Sequence, residues 1–276
     1  MSFKTTSPED PTVIREIVPG VTTVSVPFLR FNRIKFGGRA TIVKLRTGTL
    51  AVFSPTPLTP LLKSTISSLS SSPSPVSYLI APDIEHHMNI SAWHSAFPSS
   101  HVIGPEGLPE KRAKMHTKDK SVTLVPFTTV FTAQSKKDGI KISEEFDAEF
   151  EYEFVDSHPN KEIVFFHKPS KTLIEADLLF NLPATEQYSK SGEDPTTGWA
   201  TRLFGALQHT RGDAVWQRRM LWYVFSKSDR EGFNASMRRI NGWGFENLVP
   251  CHGDSFVGDG KGVFEKVMRW HLQGKK

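Results

Sequence analysis

Four short segments of the chain carry histidine and aspartate residues of the kind that bind divalent metals. Each follows an apolar run typical of a β-strand, and they read Ala81-Pro82-Asp83-Ile84-Glu85-His86-His87, Asp156-Ser157-His158-Pro159, Glu175-Ala176-Asp177 and Pro250-Cys251-His252-Gly253-Asp254. Imidazole nitrogens and carboxylate oxygens are common ligands of Zn²⁺ and Fe²⁺, and strand ends hold side chains more firmly than mobile loops do. The pattern therefore predicts a metal site assembled from distant parts of the sequence.

The elements that would position these residues are mainly strands. Alternation predicts a strand at 21–26, and the runs 40–45 and 50–53 flank a turn at 46–49, which is typical of a hairpin. Further strands are predicted at 76–80, 100–104, 122–125, 146–155, 163–166 and 172–174. Helices are predicted at 59–69 and 91–97, with Thr59 as the N-cap of the first. Many antiparallel strands followed by helices predict a sheet-rich α/β sandwich.

The last third of the chain reads differently. Residues 184–198 are polar and contain Gly192, Pro195 and Gly198, a composition typical of a mobile surface loop. Three helices are predicted after it, at 199–209, 213–225 and 229–240. A short strand at 248–250 and a final helix at 261–272 follow. Asp229 is the expected N-cap of the third helix.

Composition narrows the classes of partner. The 276 residues contain 34 Lys and Arg against 29 Asp and Glu, and the basic residues are too scattered to predict nucleic-acid binding. No run approaches the ~20 apolar residues of a membrane span, so no membrane partner is expected. A single cysteine cannot form an internal disulfide, which predicts a reducing cytoplasmic location. A small molecule is the expected substrate.

The order of the four segments resembles the metallo-β-lactamase fold superfamily, which includes glyoxalase II and many lactonases. More narrowly, it is similar to an uncharacterised branch of that superfamily, a domain of unknown function with degenerate metal motifs. The resemblance covers about residues 15–272. It implies an αββα sandwich in which two sheets pack face to face with helices outside. All of 1–276 would form one domain, with a helical insertion near 184–245.

Full-motif relatives place a His-x-His-x-Asp-His segment after the first of these strands. With its last residue aligned on His87, His86 stands at the aspartate, while Pro82 and Ile84 replace the first two histidines. Those two ligand positions are lost. The carboxylates of Asp83 and Glu85 lie one position away and would substitute only if the loop were re-registered.

The other three segments retain their family residues. His158 matches the histidine that follows the second strand, Asp177 the strand-end aspartate, and His252 the last metal histidine. The resemblance therefore implies one Zn or Fe ion instead of two. The predicted ligands are His86, His87, His158, Asp177 and His252, and the predicted catalytic residues are His158 and Asp177. His158 has two readings, as a ligand or as a general base or substrate-holding residue.

Simpler readings of several residues stay open. Adjacent residues of an extended segment point to opposite sides, so either His86 or His87 is structural unless the segment bends. Cys251 is expected to be a small buried side chain and not a nucleophile, and Asp254 is either a hydrogen-bond acceptor for a metal histidine or a surface or capping residue. Helically spaced aromatic residues predict core packing or a substrate wall, and they are Trp199, Phe204, Trp216, Trp222 and Phe225.

Three functions fit these residues. The first is a metal-dependent hydrolase of a small ester, lactone, thioester or related substrate. The second is a catalytically silent binding or scaffold protein, because two family histidines are missing. The third is an iron-dependent redox protein on the same fold.

Overall fold

The computed structural model describes residues 10–275, and within this range seven strands form the first sheet. Their spatial order is β1 (Val13–Val18), β2 (Val21–Val26), β5 (Gly38–Lys44), β6 (Leu50–Phe53), β7 (Val76–Ile80), β8 (His101–Pro105) and β9 (Thr129–Phe131). Strands β1, β2, β5 and β6 pair antiparallel, which confirms the predicted hairpin of β5 and β6. From β6 onward, β6, β7, β8 and β9 pair parallel. A two-stranded ribbon, β3 (Leu29–Arg30) and β4 (Ile34–Lys35), connects β2 to β5.

The second sheet contains four strands of the described chain. They are β10 (Phe150–Val155), β11 (Glu162–His167), β12 (Thr172–Ile174) and β13 (Asn247–Val249). Strands β10 to β12 pair antiparallel through short turns, whereas β12 and β13 are parallel, with Ile174 opposite Val249. The chain segments that follow β12 and β13 therefore leave the sheet at the same edge.

Helices cover both sheets. Their bounds are α1 (Pro60–Leu69), α2 (Ile90–Ala96), α3 (Leu108–Lys118), α4 (Ala133–Asp138), α5 (Glu144–Glu149), α6 (Thr185–Tyr188), α7 (Trp199–Leu207), α8 (Val215–Met220), α9 (Arg230–Gly242), α10 (Gly260–Val267) and α11 (Arg269–Gln273), with a π-helical turn at Leu221–Phe225. The predicted N-caps are confirmed, because Thr59 accepts the Leu62 N–H and Asp229 accepts the Gly232 N–H. No helix within residues 10–275 combines the length and apolar character needed to cross a bilayer.

The buried apolar residues form layers that confirm the predicted αββα sandwich. Phe53 of the first sheet and Phe165 of the second meet between the sheets, with their ring centroids 5.0 Å apart. Trp93 of α2 packs on the outer face of the first sheet, and Phe233 of α9 packs on the outer face of the second. Each sheet is thus covered on both faces, which explains why strands such as β6 and β11 are buried along their whole length.

Several predicted elements differ from the structure. The strand predicted at 122–125 is wrong, because this segment begins in a turn in which the Val122 N–H donates to the Asp119 carbonyl. The strand predicted from 146 begins only at Phe150, because the Ser143 hydroxyl accepts the Phe146 N–H and starts α5. Residues 184–198 include helix α6, whose Tyr188 is buried and donates its hydroxyl to the Phe28 carbonyl.

Two predicted helices are divided. The one predicted at 213–225 becomes α8 followed by the π-helical turn, and the one predicted at 261–272 breaks at Met268 into α10 and α11.

Candidate metal centre

The loops that follow β7, β12 and β13 meet at one edge of the sandwich. They deliver His86, Asp177 and His252, and one potential ligand atom from each lies within 4.8 Å of the others. The Nε2 atoms of the two histidines are 3.1 Å apart, and His252 Nε2 is 3.2 Å from Asp177 Oδ1. We call these three residues the candidate metal group. It is the only such group of three or more histidine, cysteine or acidic side chains in residues 10–275.

Hydrogen bonds on the far side of each imidazole fix which nitrogen faces the group. His252 Nδ1 lies 2.7 Å from the Gly37 carbonyl oxygen, which can only accept, so Nδ1 carries the proton. His86 Nδ1 lies 2.9 Å from the Asp83 carboxylate and donates to it. In neutral rings both Nε2 atoms then hold lone pairs that face each other. Only a cation or a proton between them relieves this repulsion, so the donor set fits a metal ion.

Asp83 sets the direction of His86. Its side chain is fully buried, and Oδ1 also accepts the backbone N–H groups of Glu85 and His86, at 2.8 and 2.7 Å. This turn replaces an extended strand end and rotates His86 toward the other two ligands. Glu85 instead pairs with Arg30 and Lys111. Neither carboxylate of the loop belongs to the candidate metal group.

Charges within the group reinforce one another. Burial alone would lower the pKa of His86, but the carboxylates of Asp83 and Asp177 raise it to about 9. Burial would raise the pKa of Asp177, yet the imidazoles of His86 and His252 hold it well below its usual range. Asn160 Nδ2 donates to Asp177 Oδ2 at 2.6 Å, which orients the carboxylate. Asp177 therefore offers a negative charge at neutral pH.

His158 is buried next to this edge but outside the candidate metal group. Its Nδ1 accepts the backbone N–H of Asn160 at 3.3 Å, so Nε2 carries the ring proton, and Nε2 has no partner among the described residues. The ring packs on Phe225 and Phe233. Burial lowers the pKa of His158 to about 4, so the ring is neutral at physiological pH. In this state His158 is a donor, and its predicted ligand and general-base roles both require the other tautomer.

His87 faces away from the group. Arg112 Nη1 lies 3.2 Å from His87 Nδ1 and also donates to the His87 carbonyl at 3.0 Å. Burial, together with the charges of Lys111 and Arg112, lowers the pKa of His87 to about 4. The structure thus directs the adjacent histidines to different partners, although the segment forms a turn and is not extended as the opposite-sides reading assumes.

Two buried glutamates that sequence reasoning did not assign support the Asp177 loop. Glu162 accepts the backbone N–H groups of Ala176 and Asp177, and Glu175 accepts those of Leu178 and Leu179. Burial raises the pKa of both carboxyl groups. Glu175 belongs to the segment that the sequence singled out, whereas nothing in the sequence marks Glu162. Asn160 was also missed, although it directly follows His158-Pro159.

The segment 250–254, which carries His252, packs the site against the first sheet. Cys251 is buried, as expected, and its thiol donates to the Ser54 hydroxyl oxygen at 3.0 Å. Gly253 has a φ of +89°, and a Cβ there would lie 2.0 Å from the Asn181 carbonyl oxygen, so only glycine fits. Asp254 caps the start of α6 by accepting the Glu186 N–H, which is the capping alternative of the sequence.

A cleft opens to solvent beside the candidate metal group. Its lining residues include Phe28, Arg30, Phe36, Arg39, Ser54, Pro55, Thr56, Glu85, Met88 and Asn89. The helical aromatic residues predicted as core or wall do not line it. Phe204 supports it from behind, because its ring stacks on Phe36 at 4.6 Å between centroids, while Trp199 and Trp216 are exposed on the surface.

Comparisons with known proteins agree with this architecture. A family model described as a domain of unknown function, DUF4336, matches residues 31–214, which is more than half of the chain. No curated protein matches the sequence.

Solved structures show the same fold at low sequence identity. The flavodiiron core Flv1 from Synechocystis sp. PCC6803 is 9% identical with a TM-score of 0.59, over 94% of this chain and 60% of that one. A metallo-β-lactamase from Hirschia baltica is 10% identical with a TM-score of 0.57, over 95% and 98% of the two chains. A flavo di-iron protein variant from Thermotoga maritima is 11% identical with a TM-score of 0.59, over 94% and 62%. The chain thus spans about three fifths of the flavodiiron chains and nearly all of the lactamase.

Proposed function

The chain belongs to the DUF4336 family, and we propose that it is a metal-dependent hydrolase with a mononuclear centre at His86, Asp177 and His252. The substrate would be a small ester, lactone, thioester or related compound. Hydrolysis breaks the acyl C–O or C–S bond and joins the oxygen of water to the acyl carbon. One proton of the water goes to the leaving alcohol or thiol, and the other is released with the acid.

The observation that carries this proposal is the pair of imidazole Nε2 atoms that face each other at 3.1 Å beside an anionic carboxylate. Two imidazoles and one carboxylate are a usual set for Zn²⁺ or Fe²⁺, and three protein ligands are the number found in catalytic rather than structural zinc sites. A metal ion bound there would lower the pKa of a water ligand to about 7 and polarise a carbonyl oxygen.

The surrounding side chains have separate roles. Asp83 and the Gly37 carbonyl hold the two imidazoles in the ligand tautomer, and Asn160 orients Asp177. Because His158 is buried and does not line the cleft, we assign its neutral ring to hold the Asn160 backbone beside Asp177, and not to bind metal. Its low pKa makes this assignment consistent over the whole neutral range.

One observation favours a second candidate, a metal-free binding module. Because the pKa of His86 is raised to about 9, the ring is protonated at pH 7 in the metal-free protein. It can then donate Nδ1–H to Asp83 and Nε2–H to His252, which satisfies the group without a metal.

Metal analysis separates these candidates. Protein purified without added metal should contain about one equivalent of zinc or iron, and His86→Ala and His252→Ala should both lose it. His87→Ala is the matched control, since it removes a neighbouring imidazole that faces Arg112, and it should retain the metal. Circular dichroism and thermal unfolding of each variant exclude loss of folding as the cause.

Activity and spectroscopy complete the test. The metal-loaded protein should hydrolyse p-nitrophenyl esters, and His86→Ala should not. Absence of bound metal, with the same melting temperature in chelator, would overturn the hydrolase and support the binding module. Iron with a visible absorption band and no esterase activity would support the redox alternative.

Within this proposal the protein acts on a small molecule, without nucleic acid or membrane, in the cytoplasm. The scattered basic residues argue against a nucleic-acid partner, and the single buried cysteine supports a reducing compartment.

A further inference from the structure

Large apolar side chains are exposed on α7, on α8 and on the π-helical turn that continues α8. Trp199 is 74% exposed and Leu203 is 57% exposed, and the two lie one turn apart on the same side of α7. Helix α8 packs against α7, and its Trp216 lies on the same side as Tyr223, seven residues further on. We call the exposed apolar residues of these elements the α7–α8 face, and they are Trp199, Leu203, Val215, Trp216, Tyr223 and Val224. Clusters of this kind mark interaction surfaces.

The aromatic members of the face are large enough to anchor a partner. Covering a whole aromatic side chain removes about 150 to 250 Å² from water, so the exposed parts of Trp199, Trp216 and Tyr223 together offer about 250 to 450 Å². A stable protein complex covers about 800 Å² on each partner, so these three rings supply about a third to a half of that area.

The segment 199–228, which carries the face, is basic because acidic residues are scarce in it. Its only acidic residue is Asp213, and its basic residues are Arg202, Arg211, Arg218, Arg219 and Lys227. The segment therefore carries +4 of the chain's formal net charge of +5. This charge complements an acidic partner.

The exposed cations of this segment are available to a partner. They make no side-chain hydrogen bond or ion pair with other parts of residues 10–275, and they are Arg202, Arg211, Arg219 and Lys227. The Arg219 guanidinium lies over the Trp216 ring, 4.9 Å from its centroid. A guanidinium stacked in this way keeps its N–H groups in its own plane, where they can donate in pairs to a carboxylate.

The residue types favour a protein partner over lipid or nucleic acid. Trp, Tyr and Arg are the residues enriched at the energetic centres of protein interfaces, whereas Lys is depleted there, and three of the four exposed cations are Arg. Nucleic acids and anionic bilayers are bound mainly through many phosphate contacts, and four exposed cations are few for that.

We propose that the α7–α8 face docks a protein partner whose surface carries carboxylates beside apolar side chains. Trp199, Leu203 and Trp216 cover the apolar part, and Arg202 and Arg219 receive the carboxylates. The inference is independent of the proposed hydrolase, because none of these residues lines the cleft or belongs to the candidate metal group.

A display library of random peptides tests this chemistry without assuming the sequence of the partner. The bait is the full-length protein, and peptides that also bind the double variant Trp216→Ala/Arg219→Gln are removed. The peptides that remain should be enriched in Asp and Glu together with Leu, Phe or Trp, relative to the unselected library.

The affinity of a selected peptide for single variants identifies the anchors. By fluorescence anisotropy, Trp216→Ala and Arg219→Gln should each raise the Kd about 10-fold or more, and Leu203→Ala about 3-fold. Leu124→Ala is the matched control for Leu203, since Leu124 is 62% exposed outside the face, and Arg238→Gln on α9 is the control for Arg219. Both controls should change the Kd less than about twofold. Circular dichroism excludes loss of folding as the cause.

Three other results would overturn the proposal. The first is a selection that yields no such peptides, or peptides without enrichment of Asp and Glu. The second is binding to vesicles of phosphatidylcholine and phosphatidylglycerol, or to oligothymidine, that Trp216→Ala abolishes, since this would assign the face to lipid or nucleic acid. The third is a dimer in solution that Leu203→Glu dissociates, because the face would then be covered by a second copy of the chain.

Discussion

Replacing Asp83 with asparagine tests how the candidate metal group is held. In the wild type, the fully buried carboxylate accepts His86 Nδ1–H at 2.9 Å and two backbone N–H groups. Asparagine retains an oxygen for these bonds but has no negative charge. It therefore removes the charge that makes His86 a stronger ligand and leaves the turn geometry largely intact.

The expected loss in metal affinity is about 10- to 100-fold, which corresponds to about 1.4 to 2.8 kcal/mol of binding free energy. A hydrogen bond to a charged group contributes about 1.5 to 3 kcal/mol and a neutral one about 1, so the change in the bond to His86 accounts for about 0.5 to 2 kcal/mol of this loss. Zinc competition against a chromophoric chelator measures this directly.

Glu85→Gln is the matched control. Glu85 lies in the same loop and loses the same charge, but it pairs with Arg30 and Lys111 and makes no hydrogen bond to His86. Its zinc affinity should fall less than about threefold, since only screened, longer-range electrostatics change. If Asp83→Asn and Glu85→Gln had the same effect, the Asp83 charge would act only as long-range electrostatics, and the strengthening of His86 through its hydrogen bond to Asp83 would be refuted.

Three further predictions concern stability and are checked by urea unfolding. Gly253→Ala should cost at least about 2 kcal/mol more than Gly258→Ala, because both have a left-handed φ, +89° and +87°, but only at Gly253 would a Cβ meet backbone; equal costs would contradict the close approach. His271 is buried with a pKa lowered to about 4, so the unfolded state takes up the proton first and stability falls as the pH drops from 6.5 to 4. Between pH 7 and pH 4, the free energy of unfolding of His271→Gln should therefore fall by about 3 kcal/mol less than that of the wild type. Parallel pH profiles would contradict this. Trp93→Phe should cost about 1 to 3 kcal/mol, because the buried Thr56 carbonyl loses the indole donor at 2.7 Å, and an unchanged midpoint would show that this bond contributes nothing.

The layers of the fold could be predicted because their signals are local. The hairpin of 40–45 and 50–53 and the caps Thr59 and Asp229 follow from residue types at fixed spacing. Helix α5 had such a signal too, since Ser143 precedes three acidic residues in the first turn, but the apolar residues after it favoured a strand. Val122 to Val125 have strand composition without a neighbouring strand to pair with, which composition alone does not show.

The site could be predicted only in part. The strand-end residues Asp177 and His252 follow from parallel neighbours that end at one edge. The choice between His86 and His87 depends on a turn formed by the Asp83 side chain, whose acceptor bonds decide which ring faces inward. The tautomer of His252 depends on the Gly37 carbonyl, a contact across 215 positions that no local pattern contains.

That contact also has a consequence for the order in which the centre is completed during synthesis. His252 is held by Gly37, and Arg39 holds the carbonyls of Pro250 and Gly253. A nascent chain that ends at residue 214, where the family match stops, has the first sheet, His86 and Asp177, yet it lacks β13 and the third ligand. Under the proposed function, metal uptake should therefore begin only when the last strand docks, and a metal ion bound there would link the loops after β7, β12 and β13.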